Sequence, residues 1–111
     1  MKNTVIIQFN IDGFHNYPNA PKKVEFLSLN HRHTFKIKAG FNVKDLNREI
    51  EIFIARDELI SYLNESFGSP CQFGSMSCEM IANEILEFSK DDNMIWCEVW
   101  EENTGGARIE L

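Results

Sequence analysis

The chain is poor in cysteine pairs, in positive charge and in long apolar runs, and each shortage closes off a class of protein. Its three cysteines, Cys71, Cys78 and Cys97, are odd in number and none stands in a Cys-x-x-Cys pair. Neither a disulfide framework nor a cysteine-bound zinc is expected, and reduced thiols in the cytoplasm are. Eleven lysines and arginines stand against seventeen aspartates and glutamates, a formal charge of −6. That balance argues against nucleic acid or an anionic membrane as partner, because neutralising phosphate is what drives such binding. Lys22 and Lys23 in a loop, and Lys36 and Lys38 on a strand, read as solvated side chains. Val5-Ile6-Ile7 is interrupted by Gln8 and Asn10, so the opening residues do not read as a secretory signal. No apolar run nears the length of a membrane span. A phosphate-binding glycine loop, a Ser-His-Asp order and an aromatic nucleic-acid platform are all missing, and Gly105-Gly106 reads as a turn.

What is present is a well-patterned core. With 43% hydrophobic residues and nine phenylalanines, 111 residues suffice for one domain, 1–111, and one core. Val5, Ile7, Phe9 and Ile11 alternate with polar neighbours as a half-buried strand that Asp12-Gly13 is expected to end. A connection follows from Phe14 to Asn30, with Val24 to Leu29 apolar enough to pack back on the body. The second strand sets His33, Phe35, Ile37 and Ala39 on one face, and Glu49 to Ile54 alternates again as a further strand. Leu59, Ile60, Leu63 and Phe67 recur at helical spacing with Gly68 as a stop. Ser77 is a good N-cap for a second helix whose buried stripe is Ile81, Ile85 and Phe88. Asp91-Asp92-Asn93 closes that helix, and strands follow over Met94–Glu101 and Ala107–Leu111. Strands, two helices, then strands predict an α+β fold, an antiparallel sheet with both helices on one face.

Three histidines carry the most chemistry, and they are the only ones in the chain. His31 and His33 are two apart on a strand, so both imidazoles point to one face, roughly 7 Å apart along the chain. His15 lies where the first strand ends. An antiparallel pairing of the two strands brings all three rings to one edge. Three neutral imidazoles with a fourth position open are the ligand set of a catalytic zinc site. The competing reading is that a His-x-His on a strand arises readily by chance.

Glu101 shares a strand face with Ile95, Cys97 and Val99, and a carboxylate there suits the amidine-like edge of a heterocycle. Glu102 points the other way, towards solvent. Cys78 sits in the first turn of the second helix, where the helix dipole lowers a thiol pKa; the plainer reading is a small packed residue. Cys97 reads as core and Cys71 as a loop thiol without an activating neighbour.

Four segments in order resemble the 6-pyruvoyl-tetrahydropterin synthase and 6-carboxytetrahydropterin synthase family. They are Phe14-His15, Leu29-Asn30-His31-Arg32-His33-Thr34-Phe35, Ser77-Cys78-Glu79-Met80-Ile81-Ala82, and Val99-Trp100-Glu101-Glu102 followed by Thr104-Gly105. The resemblance implies a ββααββ tunnelling fold assembled into homo-oligomeric rings with sites between subunits. It implies Zn2+ on His15, His31 and His33, a pterin or purine-like ligand anchored by Glu101 with Ser77 nearby, and lyase chemistry in the tetrahydrobiopterin or queuosine pathways. Two parts of the family's pattern are not matched. Leu27 stands where the catalytic cysteine belongs, and Ile60-Ser61-Tyr62 precede Leu63-Asn64 where an Asp-His pair belongs. Cys78, Ser77, Glu51 and Tyr62 are the groups left to move protons. An active zinc enzyme, a metal- and pterin-binding paralogue without turnover, and a small interaction module with incidental histidines are the three functions to separate.

Overall fold

The computed structural model describes Met1 through Leu111. Strands β1 (Thr4–His15) and β2 (His31–Asn42) form an antiparallel ribbon of 12 residues each, from Thr4 opposite Asn42 to His15 opposite His31. Strand β1 does not end at Asp12-Gly13. Gly13 stays in the strand because a Cβ there would meet the Phe73 ring at 2.8 Å and the Phe35 ring at 3.0 Å. Only a residue without a side chain lets both aromatics close over the backbone. The strand's further residues carry His15 to the ribbon's end.

Helix α1 (Ile52–Phe67) begins inside the stretch whose alternation predicts a strand. The Glu51 side chain accepts the Ile54 N–H at 2.8 Å, capping the helix, while Glu49 accepts the amides of Lys44 and Asp45 and closes the loop before it. Ile52, Phe53 and Ile54 are exposed on the first turn, and the buried stripe is Ala55, Leu59 and Leu63. The alternation at Ile50, Ile52 and Ile54 thus records no sheet face. Next comes β3 (Cys71–Gly74), which sequence patterning does not predict because four residues are too few for a pattern. It pairs parallel to β1 and buries Cys71 and Phe73.

Ser77 caps α2 (Cys78–Ser89) as expected, accepting the Met80 N–H at 3.2 Å. Its buried side is Ile81, Ala82, Ile85 and Leu86; Phe88 lies outside that stripe, stacked on Tyr62 of α1 at 3.8 Å between ring centres. Asn93 turns the chain with a left-handed φ of 71° into β4 (Met94–Glu101), which pairs with β2, and β5 (Gly105–Glu110) pairs with β4. The sheet order is β3-β1-β2-β4-β5, antiparallel except for β1 beside β3. Both helices cover one face, where 20 buried residues form one cluster. Each fully buried Phe, Ile or Leu contributes about 1.5–3 kcal/mol, so this layer holds the ribbon and whatever its end carries.

The connection between β1 and β2 contains a 3-10 stretch, Lys22–Ser28, with no buried residue. Phe26 and Leu29 are exposed while Val24 and Leu27 are half-buried, so Val24–Leu29 packs back on the body only in part. The Tyr17 N–H, donating to the Leu27 carbonyl at 2.8 Å, ties it to the chain just beyond β1. No helix is long and apolar enough to cross a membrane.

Candidate metal centre

The ribbon's register brings the three histidines together. His15 and His31 are direct cross-strand partners, and His33 lies two residues along on the same face, opposite Gly13. Their ring centres are 4.7, 4.8 and 5.2 Å apart, with the planes at 67°, 87° and 79°. One ligand nitrogen from each lies within 4.8 Å of the other two. Phe35 forms the floor, edge-on to His15 at 5.1 Å and to His33 at 5.5 Å.

Each ring is held from behind. His15 Nδ1 lies 2.9 Å from the Met76 carbonyl, His31 Nδ1 2.9 Å from the Leu29 carbonyl, and His33 Nδ1 2.7 Å from Glu102 Oε1. Carbonyl and carboxylate oxygens only accept, so all three Nδ1 atoms carry the proton and donate it. The lone pair is left on Nε2 in every ring. The Nε2 atoms of His15 and His33 are buried without a hydrogen-bond partner. A buried unpaired nitrogen costs about 1–3 kcal/mol, and two converging ones fit a cation between them. Imidazoles fixed by an outer hydrogen bond from the far nitrogen are the usual surroundings of a metal-bound histidine. The residues present therefore fit a divalent zinc-type ion.

Glu102 is the functional residue that sequence patterning missed. A left-handed φ of 50° at Glu102 and its N–H bond to the Thr34 carbonyl at 3.1 Å turn its carboxylate back onto His33, where a solvated side chain was expected. Nothing in the sequence marks it, because the turn that re-aims it is set by the pairing of β2 with β4.

Glu101 emerges beside the triad. Its Oε1 is 3.0 Å from His15 Nε2 and its Oε2 is 3.5 Å from His33 Nε2, and neither contact is aligned as a hydrogen bond. The Cys78 thiol donates to Glu101 Oε1 at 3.9 Å. Burial, with Glu101 and Glu79 adding to it, pushes that thiol up to about 12, so the lowering expected from the helix start is outweighed.

A cavity of about 710 Å³ reaches His15 and His31 of the triad, walled by Tyr17, Leu27, Met76, Met80, Glu79 and Glu101 among others. Ser77 and Cys78 line it too, as does the Gly105-Gly106 turn. No lysine or arginine does. Two of the groups singled out from the sequence lie elsewhere. Glu51 is occupied in capping α1, and the Tyr62 hydroxyl bonds Glu84 at 3.3 Å on the outer helix surface. Leu63 is buried in the core, so the Ile60–Asn64 stretch offers nothing to the cavity.

No family model and no curated protein matches the sequence. In shape it is similar to the 6-pyruvoyl tetrahydropterin synthase of Caenorhabditis elegans, with a TM-score of 0.68 over 100% of this chain and 96% of that one. The two share one fold. At 8% identity the likeness is one of architecture, and it agrees with the tunnelling fold that the four motifs imply.

Proposed function

We propose that this chain is a zinc protein of the tetrahydropterin-synthase type that takes a pterin or purine-derived heterocycle into the cavity beside His15, His31 and His33. The observation that carries the reading is the common orientation of the three imidazoles, each Nδ1 tied back and two buried Nε2 atoms left without partners. When bound, zinc supplies Lewis acidity towards oxygens of the ligand's side chain. Glu101 accepts from the N–H groups of a ring edge, and Ser77 offers its hydroxyl from the cavity wall. Cys78 Sγ, kept protonated by burial, offers that space only a weak S–H hydrogen bond. The wall that this chain supplies holds Glu79 and Glu101 and no lysine or arginine, which favours an unphosphorylated ligand.

A second reading, binding without turnover, is favoured by a specific observation. Leu27 lines the cavity where the family's cysteine is expected, and neither Glu51 nor Tyr62 reaches it. The proposal includes one domain spanning 1–111 in the cytoplasm, supported by one core cluster and three free buried thiols. It also includes a homo-oligomer with cavities at subunit boundaries, supported by exposed Tyr17 and Met80 on the cavity wall and by the unpaired outer edge of β5.

Metal analysis of purified protein tests the core of the proposal. About one zinc per chain, lost when all three histidines become alanine, is the expected result; metal-free wild type overturns it. Incubation with dihydroneopterin triphosphate and with an unphosphorylated pterin, followed by mass spectrometry, separates turnover from binding.

A further inference from the structure

We propose that Glu101 is a fourth protein ligand of this metal while the cavity is empty of heterocycle, so that the chain closes its own site until the carboxylate is drawn away. The inference rests on the metal of the preceding reading and not on the identity of its organic ligand.

The contact between Glu101 and His15 is close but misaligned. Glu101 Oε1 lies 3.0 Å from His15 Nε2, yet that nitrogen has no hydrogen-bond partner. The His15 proton is already committed to the Met76 carbonyl through Nδ1. An ion pair would need a second proton on Nε2, directed along the ring plane at the carboxylate, and the geometry does not aim it there. Two atoms that approach without facing each other are placed as two ligands of one ion are placed.

The spacing agrees. Bond lengths of 2.0–2.2 Å in a tetrahedral zinc site put neighbouring ligand atoms about 3.4 Å apart. The two carboxylate oxygens lie 3.0 and 3.5 Å from the two orphaned nitrogens, either side of that value. The fold holds the side chain in this place from two sides, because β4 pairs Glu101 with Phe35, the floor of the triad, and the Cys78 thiol donates to Oε1. A carboxylate also lowers the net charge that three neutral imidazoles would leave on a divalent ion.

The carboxylate that completes the metal is the same one that faces the ring edge of a heterocycle. A heterocycle that engages Glu101 through its ring edge would then compete with a bound metal for the same carboxylate.

Cobalt(II) added to the metal-free full-length chain reports the coordination directly, through its visible absorption and through competition with a chelator for affinity. Wild type is expected to show the intense bands of four-coordinate cobalt. Glu101→Gln should weaken cobalt binding at least tenfold and reduce band intensity as water enters. Glu101→Asp keeps the charge but is one methylene short, and should weaken binding in the same direction. Glu101→Gln within twofold of wild type, with an unchanged spectrum, overturns the proposal. So does full affinity in Glu101→Asp, which would make the effect one of charge alone. Wild type that takes up no cobalt overturns the metal reading as well, a failure distinct from an unchanged Glu101 variant.

Discussion

Along the inner face of the β1–β2 ribbon, one stretch is dry and apolar, with Ile7, Phe9 and Ile11 set against Phe35, Ile37, Ala39 and Phe41, all buried. Past Ile11 and Phe35, the same face ends in His15, His31 and His33. The backbone pairing is continuous through both stretches. Only the side chains change, from groups whose loss of water is favourable to groups whose buried nitrogens are left wanting a partner. The site is therefore the last stretch of the core's own pattern, given over to imidazole. Stability should belong to one end and metal affinity to the other.

Phe35 stands at the boundary, fully buried and in edge contact with His15, His33 and Phe73. Replacing it by alanine should cost about 3–5 kcal/mol, read from urea unfolding of the metal-free chain. His31→Ala should cost about 1 kcal/mol there, the worth of its hydrogen bond to the Leu29 carbonyl, while losing metal. Equal losses in metal-free stability would mean that the two ends are not separable.

Cys78 sharpens the boundary from the helix side, because it belongs to the core cluster and to the cavity wall at once. With burial moving the thiol from 9.0 to about 12, the metal-free protein should hold far less thiolate near pH 8 than an ordinary cysteine. Alkylation by iodoacetamide should be slow at that pH and should speed on unfolding in urea. Rapid native labelling would place Cys78 with the reactive end.

Within the reactive end, the three outer hydrogen bonds are not alike. His15 and His31 lean on backbone carbonyls, which no side-chain change removes, whereas His33 leans on Glu102. Glu102→Ala should therefore weaken zinc or cobalt affinity about 10–100-fold with all ligands in place. Chelator competition measures it; an affinity within twofold of wild type would mean that Glu102 does not set the ring.

How much of this was legible in the sequence follows the same division. The triad was, because strand alternation and an antiparallel pairing are local rules that fix which face His31 and His33 share. So was α2, where cap, dipole and apolar stripe agree at Ser77, Glu79 and Ile81. Alternation misled at Glu49–Ile54, where apolar residues on an exposed first helical turn imitate a strand. Strand β3 and the Glu102 carboxylate depend on neighbours distant in sequence, one on β1 and the other on Thr34 and His33. Long-range placement of short segments leaves no periodic trace.

The opposite face of the sheet offers the smallest test, and it asks whether polar order there contributes at all. Glu98 accepts the Trp100 indole N–H at 2.8 Å and pairs with Arg108 at 2.6 Å, while Arg108 stacks over Trp96 and also bonds Glu110. The indole first, and Arg108 after it, hold the Glu98 carboxyl below its ordinary 4.5. A carboxyl lowered in the folded state adds stability above its unfolded pKa, and that share is lost as pH falls through the folded value. Glu98→Gln should thus cost about 1 kcal/mol at neutral pH, shrinking on the acid side of 4.5. Urea midpoints for wild type and variant should separate near pH 7 and converge as pH falls through the lowered Glu98 pKa, on the acid side of 4.5. A gap that stays constant across that range would assign the effect to packing against Trp96 and Trp100, with no part for the charge.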